Sequence, residues 1–323
     1  MSWPDTLPIV VLALILDALV GDPDAIWRRI PHPVAWFGAV ISGLERRWNR
    51  PDRSETRRRA LGVVAVAVLL GIVITAAWLL ERAWMALPYG WLGVAACGSI
   101  LIAQRSLYDH VARVALALQT EGLAGGRRAV AMIVGRDPAS LDEAGVARAA
   151  IETTAENFSD GVVAPVFWFV LAGLPGLAAY KAINTADSMI GHRSPRYLAY
   201  GWASARFDDA VNLVPARLAG LLIVFAMACL GRSAETALRV MLRDAGLHKS
   251  PNAGWPEAAM AGGLGLSLAG PRLYAGVLVD DPYLNPAGRR DSGAADVHAA
   301  LRVLAMACFL LILTLSAVAL AFA

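Results

Sequence analysis

The sequence predicts an all-α, polytopic integral membrane protein, and three observations predict it. Hydrophobic residues make up 57% of the 323 positions and charged residues only 17%, far from the balance of a water-soluble domain. Two stretches, Ala60 to Leu80 and Leu301 to Ala323, each come close to the ~20 apolar residues that cross a bilayer as a helix. The polar segments between such stretches repeat apolar residues at intervals of three and four, the period of amphipathic helices. The expected architecture is one membrane-embedded catalytic domain, residues 1–323, with spanning helices, cytoplasmic amphipathic helices and a re-entrant helical hairpin.

Taken in order, "MSWPDTLPIV" has neither a basic n-region nor a small-residue cleavage site, so it does not read as a removable leader. Leu7 to Val20 is a short apolar helix carrying Asp17. Gly21 to Arg59 holds nine arginines, whereas Glu81 to Gly90 holds only Arg82. That asymmetry places the first segment in the cytoplasm and the second outside, with Ala60 to Leu80 crossing between them. Trp91 to Ala103 is a further apolar candidate. Ser106 to Asp160 then returns to the cytoplasm as amphipathic helix, of which "SLYDHVARVALALQTEGL" is the clearest part. Asp137-Pro138 with Ser140 marks a turn and a helix start. Val162 to Ala179 is apolar but is interrupted by Gly-Leu-Pro-Gly at Gly173 to Gly176. Glycine and proline there predict two half-helices turned back on themselves, which a membrane tolerates only where protein or a cavity covers the loosened backbone; one kinked spanning helix is the plainer alternative. Leu213 to Leu230 and Leu301 to Ala323 complete the apolar candidates.

Several functions are disfavoured. A net charge of +3, with arginines in loops rather than on an aromatic-interleaved stripe, argues against a nucleic-acid partner. Cys97, Cys229 and Cys308 stand singly in apolar segments and predict reduced, buried thiols. No phosphate-binding loop, zinc-protease helix or hydrolase elbow occurs.

Polar residues instead gather where apolar segments end. In "IETTAENFSDG", Glu152, Glu156 and Asp160 fall at i, i+4 and i+8 with Asn157 beside them. Like charges at that spacing destabilise a bare helix and call for a cation. Hard oxygen donors suit Mg²⁺, which binds through one or two carboxylates plus the phosphates of a substrate; a solvated helix face is the plainer alternative. In "YKAINTADSMIGHR", Lys181, Asn184 and Ser188 share a helical stripe, Asp187 lies nearby, and His192 and Arg193 follow a glycine break. Lys181 is one of two lysines in a chain that otherwise uses arginine. A compact ammonium is the form in which lysine meets phosphate. "ASARFDDAVNLVPARLAG" sets Arg206, Asp208, Asp209, Asn212 and Arg217 at the mouth of an apolar helix, where ionisable side chains mark functional sites. "SPNAGWPEAAMAGGLG" adds Asn252 and Glu257, and the N-terminal "LDALVGDP" and "PHPVAWFG" add Asp17, Asp22 and His32.

These stretches, with "ETTAENFSDGVVAPVFW" and "YKAINTADSMIGHRSPRY", resemble the adenosylcobinamide-phosphate synthase family of cobalamin biosynthesis, in family order from about Asp17 to Gly265. The resemblance implies an inner-membrane enzyme that faces the cytoplasm. Its reaction would be ATP-dependent condensation of adenosylcobyric acid with (R)-1-amino-2-propanol or its O-phosphate. On that scheme Glu152, Glu156, Asp160 and Asp187 are the expected Mg²⁺ ligands. Lys181, Arg193, Arg206 and Arg217 would meet phosphates, and His192 or Asp208 would free the amine. Asn157, Asn184, Ser188, Asn212, Asn252 and Glu257 would line the substrates. Two rivals remain at this stage. A Mg-dependent prenyl or phosphoalcohol transferase would use "DDAVN", although no second aspartate-rich copy exists. A transporter would use the broken helix, although paired halves are absent.

Overall fold

The computed structural model describes residues 3–134, 138–274 and 277–322. Among these residues the helices are α1 (Trp3–Val20), α2 (Asp24–Trp27), α3 (Pro33–Trp48), α4 (Glu55–Met85), α5 (Gly90–Ser99), α6 (Gln104–Val130) and α7 (Glu143–Phe158). They continue as α8 (Ala164–Ile190), α9 (Trp202–Val211), α10 (Leu213–Cys229), α11 (Ala234–Asp244), α12 (Gly254–Leu264) and α13 (Ala294–Ala321). Two small antiparallel ladders follow α12. In one, β1 (Leu268–Ala269) pairs with Tyr283–Leu284, and in the other Arg272–Tyr274 pairs with Val277–Val279. The all-α expectation holds, and the ladders were missed because strands of two or three residues carry no periodic signal.

Glu55–Met85, Glu143–Ile190 and Ala294–Ala321 are long and apolar enough to cross a membrane; Trp202–Val211 with Leu213–Cys229 makes a fourth if the pair is one span. Helix α4 shows why composition pointed to lipid. It is apolar around its circumference, yet it buries only the stripe Gly62, Ala65, Leu69, Val73 and Ala77. Val64, Ile72, Trp78 and Leu79 are exposed. Just 22% of its most apolar window is buried, as is the case for α13. An exposed apolar surface of that extent belongs in a bilayer.

The chain divides into two compact units. The first comprises Met1–Ala103, Ala164–Asn212 and Leu315–Ala323. Here α8 packs against α1, α3, α4, α5 and α9. Helix α4 runs so close to the turn before α9 that a Cβ on Gly62 would lie 2.0 Å from the Tyr200 carbonyl oxygen. That position therefore excludes any larger residue. On the polar side, Glu45 accepts from Arg196 at 2.9 and 3.1 Å, and Asn49 and Arg58 both donate to the Arg196 carbonyl. Buried Glu45 in α3 and Arg58 in α4 thus both hold the turn that leads into α9.

The second unit comprises Gln104–Val163 and Leu213–Thr314. Helices α10, α11 and α12 pack on one another, α6 packs on α7, and α7 packs on α12. Helix α6 buries Leu107, Val111, Val114 and Leu118 on one face, and α11 buries Ala237, Val240, Met241 and Asp244. The helix start read near Pro138 falls later. Pro138–Ser140 forms a single 3₁₀ turn, and α7 begins at Glu143, where the Asp142 carboxylate accepts from Gly145 N at 2.7 Å. A carboxylate N-cap wins because it satisfies an otherwise orphan amide; Asp137 lies outside the described residues. The cysteines are thiols rather than disulfides; Cys308 is buried as expected, whereas Cys97 is intermediate and Cys229, at the end of α10, is exposed.

The break read at Gly173 to Gly176 is present. Ala172 (φ −139°) and Gly173 (φ +62°) leave helical geometry within α8, a left-handed conformation that glycine adopts without steric cost. Two side chains satisfy backbone groups at the break. Thr6 Oγ1 donates to the Val170 carbonyl at 2.8 Å, and Leu174 N donates to Glu81 Oε2 at 2.8 Å. In apolar surroundings each unsatisfied group would cost several kcal/mol.

Candidate active site

The second half of α8 carries the polar stripe of the Lys181 stretch. Its hydroxyls turn inward on the helix: Thr185 Oγ1 donates to the Lys181 carbonyl at 2.7 Å and Ser188 Oγ to the Asn184 carbonyl at 2.9 Å. The helix ends at Gly191, whose N donates to the Asp187 carbonyl at 2.7 Å. A Cβ there would lie 1.9 Å from Asp187 Oδ1. Glycine thus leaves room for the Asp187 carboxylate to fold over the helix end, before exposed His192 and Arg193.

Helix α9 meets this stripe. Asn184 Nδ2 donates to Asp208 Oδ1 at 3.3 Å. Asn212 Nδ2 donates to Asp208 Oδ2 at 3.0 Å, and Tyr180 Oη donates to Asn212 Oδ1 at 2.9 Å. Asn212 is 1% exposed and Asp208 9%, so these bonds stand in for water and fix each side chain. Asp187, Asp208 and Asp209 lie within electrostatic reach of one another, with His192 on the Asp187 side. Arg193 and Arg206 offset Asp209, Arg206 Nη1 standing 3.6 Å from Asp209 Oδ2. The structure therefore joins two separately read stretches into one cluster of three carboxylates bordered by cations.

Lys181 faces a different partner set. It lines a cavity of about 280 Å³ with Asp22, His32, Val34 and Ile100 to Ala103. His32 Nδ1 accepts from Val34 N at 3.2 Å. Its Nε2 then carries the proton toward the Ile100 carbonyl at 3.1 Å, with Asp22 Oδ1 at 3.6 Å; the hydrogen bond at one ring nitrogen sets the role of the other.

The remaining expected residues lie in the second unit. Glu152 is buried, Glu156 is exposed and Asp160 is intermediate. The backbone passes from α7 into a π-helical turn, Ser159–Val163, and the wider turn shifts the register that four-residue spacing assumed. Such turns recur at functional sites. Glu152 Oε1 accepts from Ala269 N at 2.7 Å and so braces the start of the ladders. Exposed Asn157 bonds back to the Thr153 carbonyl at 3.1 Å. Arg217 stacks 4.4 Å over the Trp255 ring, and Glu257 Oε1 stands 3.7 Å from His248 Nε2. Asn252 is buried in a turn whose amides at Asn252 and Ala253 donate to Ser250 Oγ. Among the described residues, no three His, Cys, Asp or Glu side chains are grouped as a metal cage.

Sequence reasoning overlooked several participants. Tyr180 opens the quoted stretch but reads as an apolar anchor until its hydroxyl is seen on Asn212. Asp244 accepts from Arg243 at 2.6 and 2.7 Å and from Asn285 N at 2.8 Å. The Arg243 hydrogen bonds, aided by the Asn285 amide, hold its carboxyl below the usual carboxylate range despite burial. Glu81 and Thr6 act on backbone, a role that residue type alone does not announce.

The family described as CobD/Cbib protein matches residues 10–304. Proteins called "Cobalamin biosynthesis protein CobD" are similar throughout. The one from Sinorhizobium sp is 55% identical over 306 residues, 94% of each chain. That from Rhizobium meliloti (strain 1021) is 52% identical over 320 residues, 98% of each chain, and that from Rhodobacter capsulatus is 54% identical over 280 residues, 86% of each. No solved structure matches. A match along nearly the whole length, through the same stretches that build both polar sites, means that this chain belongs to the CobD/Cbib family.

Proposed function

We propose that the chain is a membrane enzyme of cobalamin biosynthesis that uses ATP to join adenosylcobyric acid to (R)-1-amino-2-propanol or its O-phosphate, giving adenosylcobinamide or its phosphate. The observation that supports it best is the Asn184–Asp208 and Asn212–Asp208 bonding, which draws two polar stretches into one acidic, cation-bordered cluster. The names of the relatives supply the pathway.

In this reading the corrin carboxylate takes the γ-phosphoryl group of ATP and ADP leaves. The amine nitrogen then attacks the acyl carbon, a C–N bond forms, and the C–O bond to phosphate breaks. Activation is required because carboxylate oxygen leaves poorly and phosphate leaves readily. The protein contributes position and charge. Exposed His192 beside Asp187 takes the amine proton. Asp208, held by two amides, positions Asn184 and Asn212. In the first unit Arg193 and Arg206 face nucleotide phosphates, Lys181 faces a phosphate of the reaction and Ser188 lines a substrate; in the second unit, taken by itself, Arg217 is the phosphate-binding choice and Asn157, Asn252 and Glu257 are the substrate-lining ones.

The donor chemistry fits Mg²⁺, because that ion needs only one or two protein carboxylates when substrate phosphates complete its shell. Asp187 with Asp209 meets the requirement, and Glu156 with Asp160 offers a second pair. Glu152 spends one oxygen on Ala269 N. Bound there, the ion would neutralise phosphate charge.

The basic segment Gly21 to Arg59 supports an inner-membrane orientation with the site on the cytoplasmic side, where ATP is supplied. The break at Ala172 and Gly173 supports a re-entrant course for α8. The test is direct. Purified protein is incubated with adenosylcobyric acid, ATP, Mg²⁺ and each amine in turn, and the product is weighed by mass spectrometry. The amide mass is expected only when ATP is present, and its absence with both amines overturns the reading.

A further inference from the structure

The cavity beside Lys181 has a chemistry that the acidic cluster lacks. An acidic residue, Asp22, and a basic one, Lys181, both line it, together with apolar Val34 and Ile100 to Ala103. Opposite charges facing one small space, each left partly accessible, match a ligand that carries both charges itself. Size narrows the choice. At about 280 Å³ the cavity lies just below the range that encloses a drug-sized molecule, far too little for a corrin ring.

The walls are also held in place. His32 caps α3, because its Nδ1 accepts from Val34 N. Its Nε2–H is spent on the Ile100 carbonyl, with Asp22 Oδ1 3.6 Å away, and Trp27 packs edge-on against the ring at 4.6 Å between centroids. The imidazole thus ties the start of α3 to the chain just after α5, with the Asp22 carboxylate beside the ring. Binding to such a preorganised wall loses less conformational freedom than binding to a mobile one.

We propose that this cavity is the subsite for a small zwitterion with one ammonium and one phosphate group, the ammonium on Asp22 and the phosphate on Lys181. This inference rests on the amide-forming reading, in which the amino alcohol phosphate is such a molecule. It separates the small amine from the nucleotide: Lys181 meets the phosphate of the amine, and the arginines meet ATP.

The experiment measures binding without turnover. Detergent-purified protein is titrated calorimetrically with 1-amino-2-propanol O-phosphate, alone and with a non-hydrolysable ATP analogue, using wild type, Asp22→Asn, Asp22→Glu and Lys181→Met. Wild type is expected to bind. Asp22→Asn and Lys181→Met are expected to weaken binding at least tenfold, while Asp22→Glu, which keeps the charge, stays within about threefold. Unphosphorylated 1-amino-2-propanol should lose its sensitivity to Lys181→Met but keep its sensitivity to Asp22→Asn. Unchanged affinity in both neutralised variants overturns the subsite, as does wild type that binds under neither condition. In turnover assays, a rise in KM for ATP alone in Lys181→Met also overturns it, since the lysine would then serve the nucleotide. Wild type that binds the zwitterion through Asp22 and Lys181 but forms no amide leaves the subsite standing and overturns the reaction instead.

Discussion

Replacing Asn212 by alanine tests the buried joint between α8 and α9. Asn212 accepts from the Tyr180 hydroxyl at 2.9 Å and donates to Asp208 Oδ2 at 3.0 Å and to its backbone carbonyl at 3.2 Å. Water has no direct route to replace these bonds, because the side chain is 1% exposed. A neutral buried hydrogen bond is worth about 1 kcal/mol net and one to a carboxylate about 1.5–3 kcal/mol, so Asn212→Ala should cost about 2–4 kcal/mol. Tyr180→Phe removes only the neutral bond and should cost about 1 kcal/mol. Because the two share a bond, Tyr180→Phe should cost less in the Asn212→Ala background than in wild type, with a coupling of about 0.5–1.5 kcal/mol. Chemical unfolding in detergent reads the stabilities, and the amide-forming assay reads kcat/KM, expected to fall at least tenfold in Asn212→Ala. Wild-type stability for Asn212→Ala, or a cycle without coupling, would show that the joint holds nothing.

Two further outcomes follow from individual contacts. Glu81→Ala strips the acceptor from Leu174 N and should destabilise the protein by about 1–3 kcal/mol. Glu81→Gln retains a carbonyl oxygen and should be milder, so equal damage from both in thermal unfolding would refute the capping role. Asp244 predicts acid sensitivity. Its folded carboxyl titrates below the usual range, chiefly through Arg243, so it contributes stability above the unfolded value of ~3.9 and loses it as pH falls through the lower folded value. Wild type should therefore be more stable than Asp244→Asn at neutral pH, and the difference should shrink steadily below about pH 4. A gap that stays constant or widens on acidification contradicts the assignment.

How much of this was legible beforehand depended on what each signal measures. Apolar content and helical period report on burial and lipid, and they located α4, α6 and α13 well. Residue chemistry reports on charge, and it singled out Lys181, Asn184, Asp187, Asp208, Asp209 and Asn212 from one chain with no partner in view. Pairing was invisible: nothing in the order of letters says that Asn184 reaches Asp208 while Lys181 lines a cavity with Asp22. Four-residue spacing serves for Glu152 and Glu156, both within α7, but is too simple for Asp160. It assumes an unbroken α-helix, and the Ser159–Val163 π-turn changes the phase there.

The broken helix shows why such sites need long-range partners. An intact α8 would satisfy its own backbone and would need nothing from α1 or α4. Interrupting it at Ala172 and Gly173 lets the second half set out in its own direction, carrying Lys181, Asn184, Asp187 and Ser188. That freedom comes with exposed peptide groups, which apolar surroundings make costly. Thr6 and Glu81 answer two of them, one from each of two helices that the break would otherwise not require. The placement of the polar stripe is therefore a property of three helices rather than of the stretch that bears it.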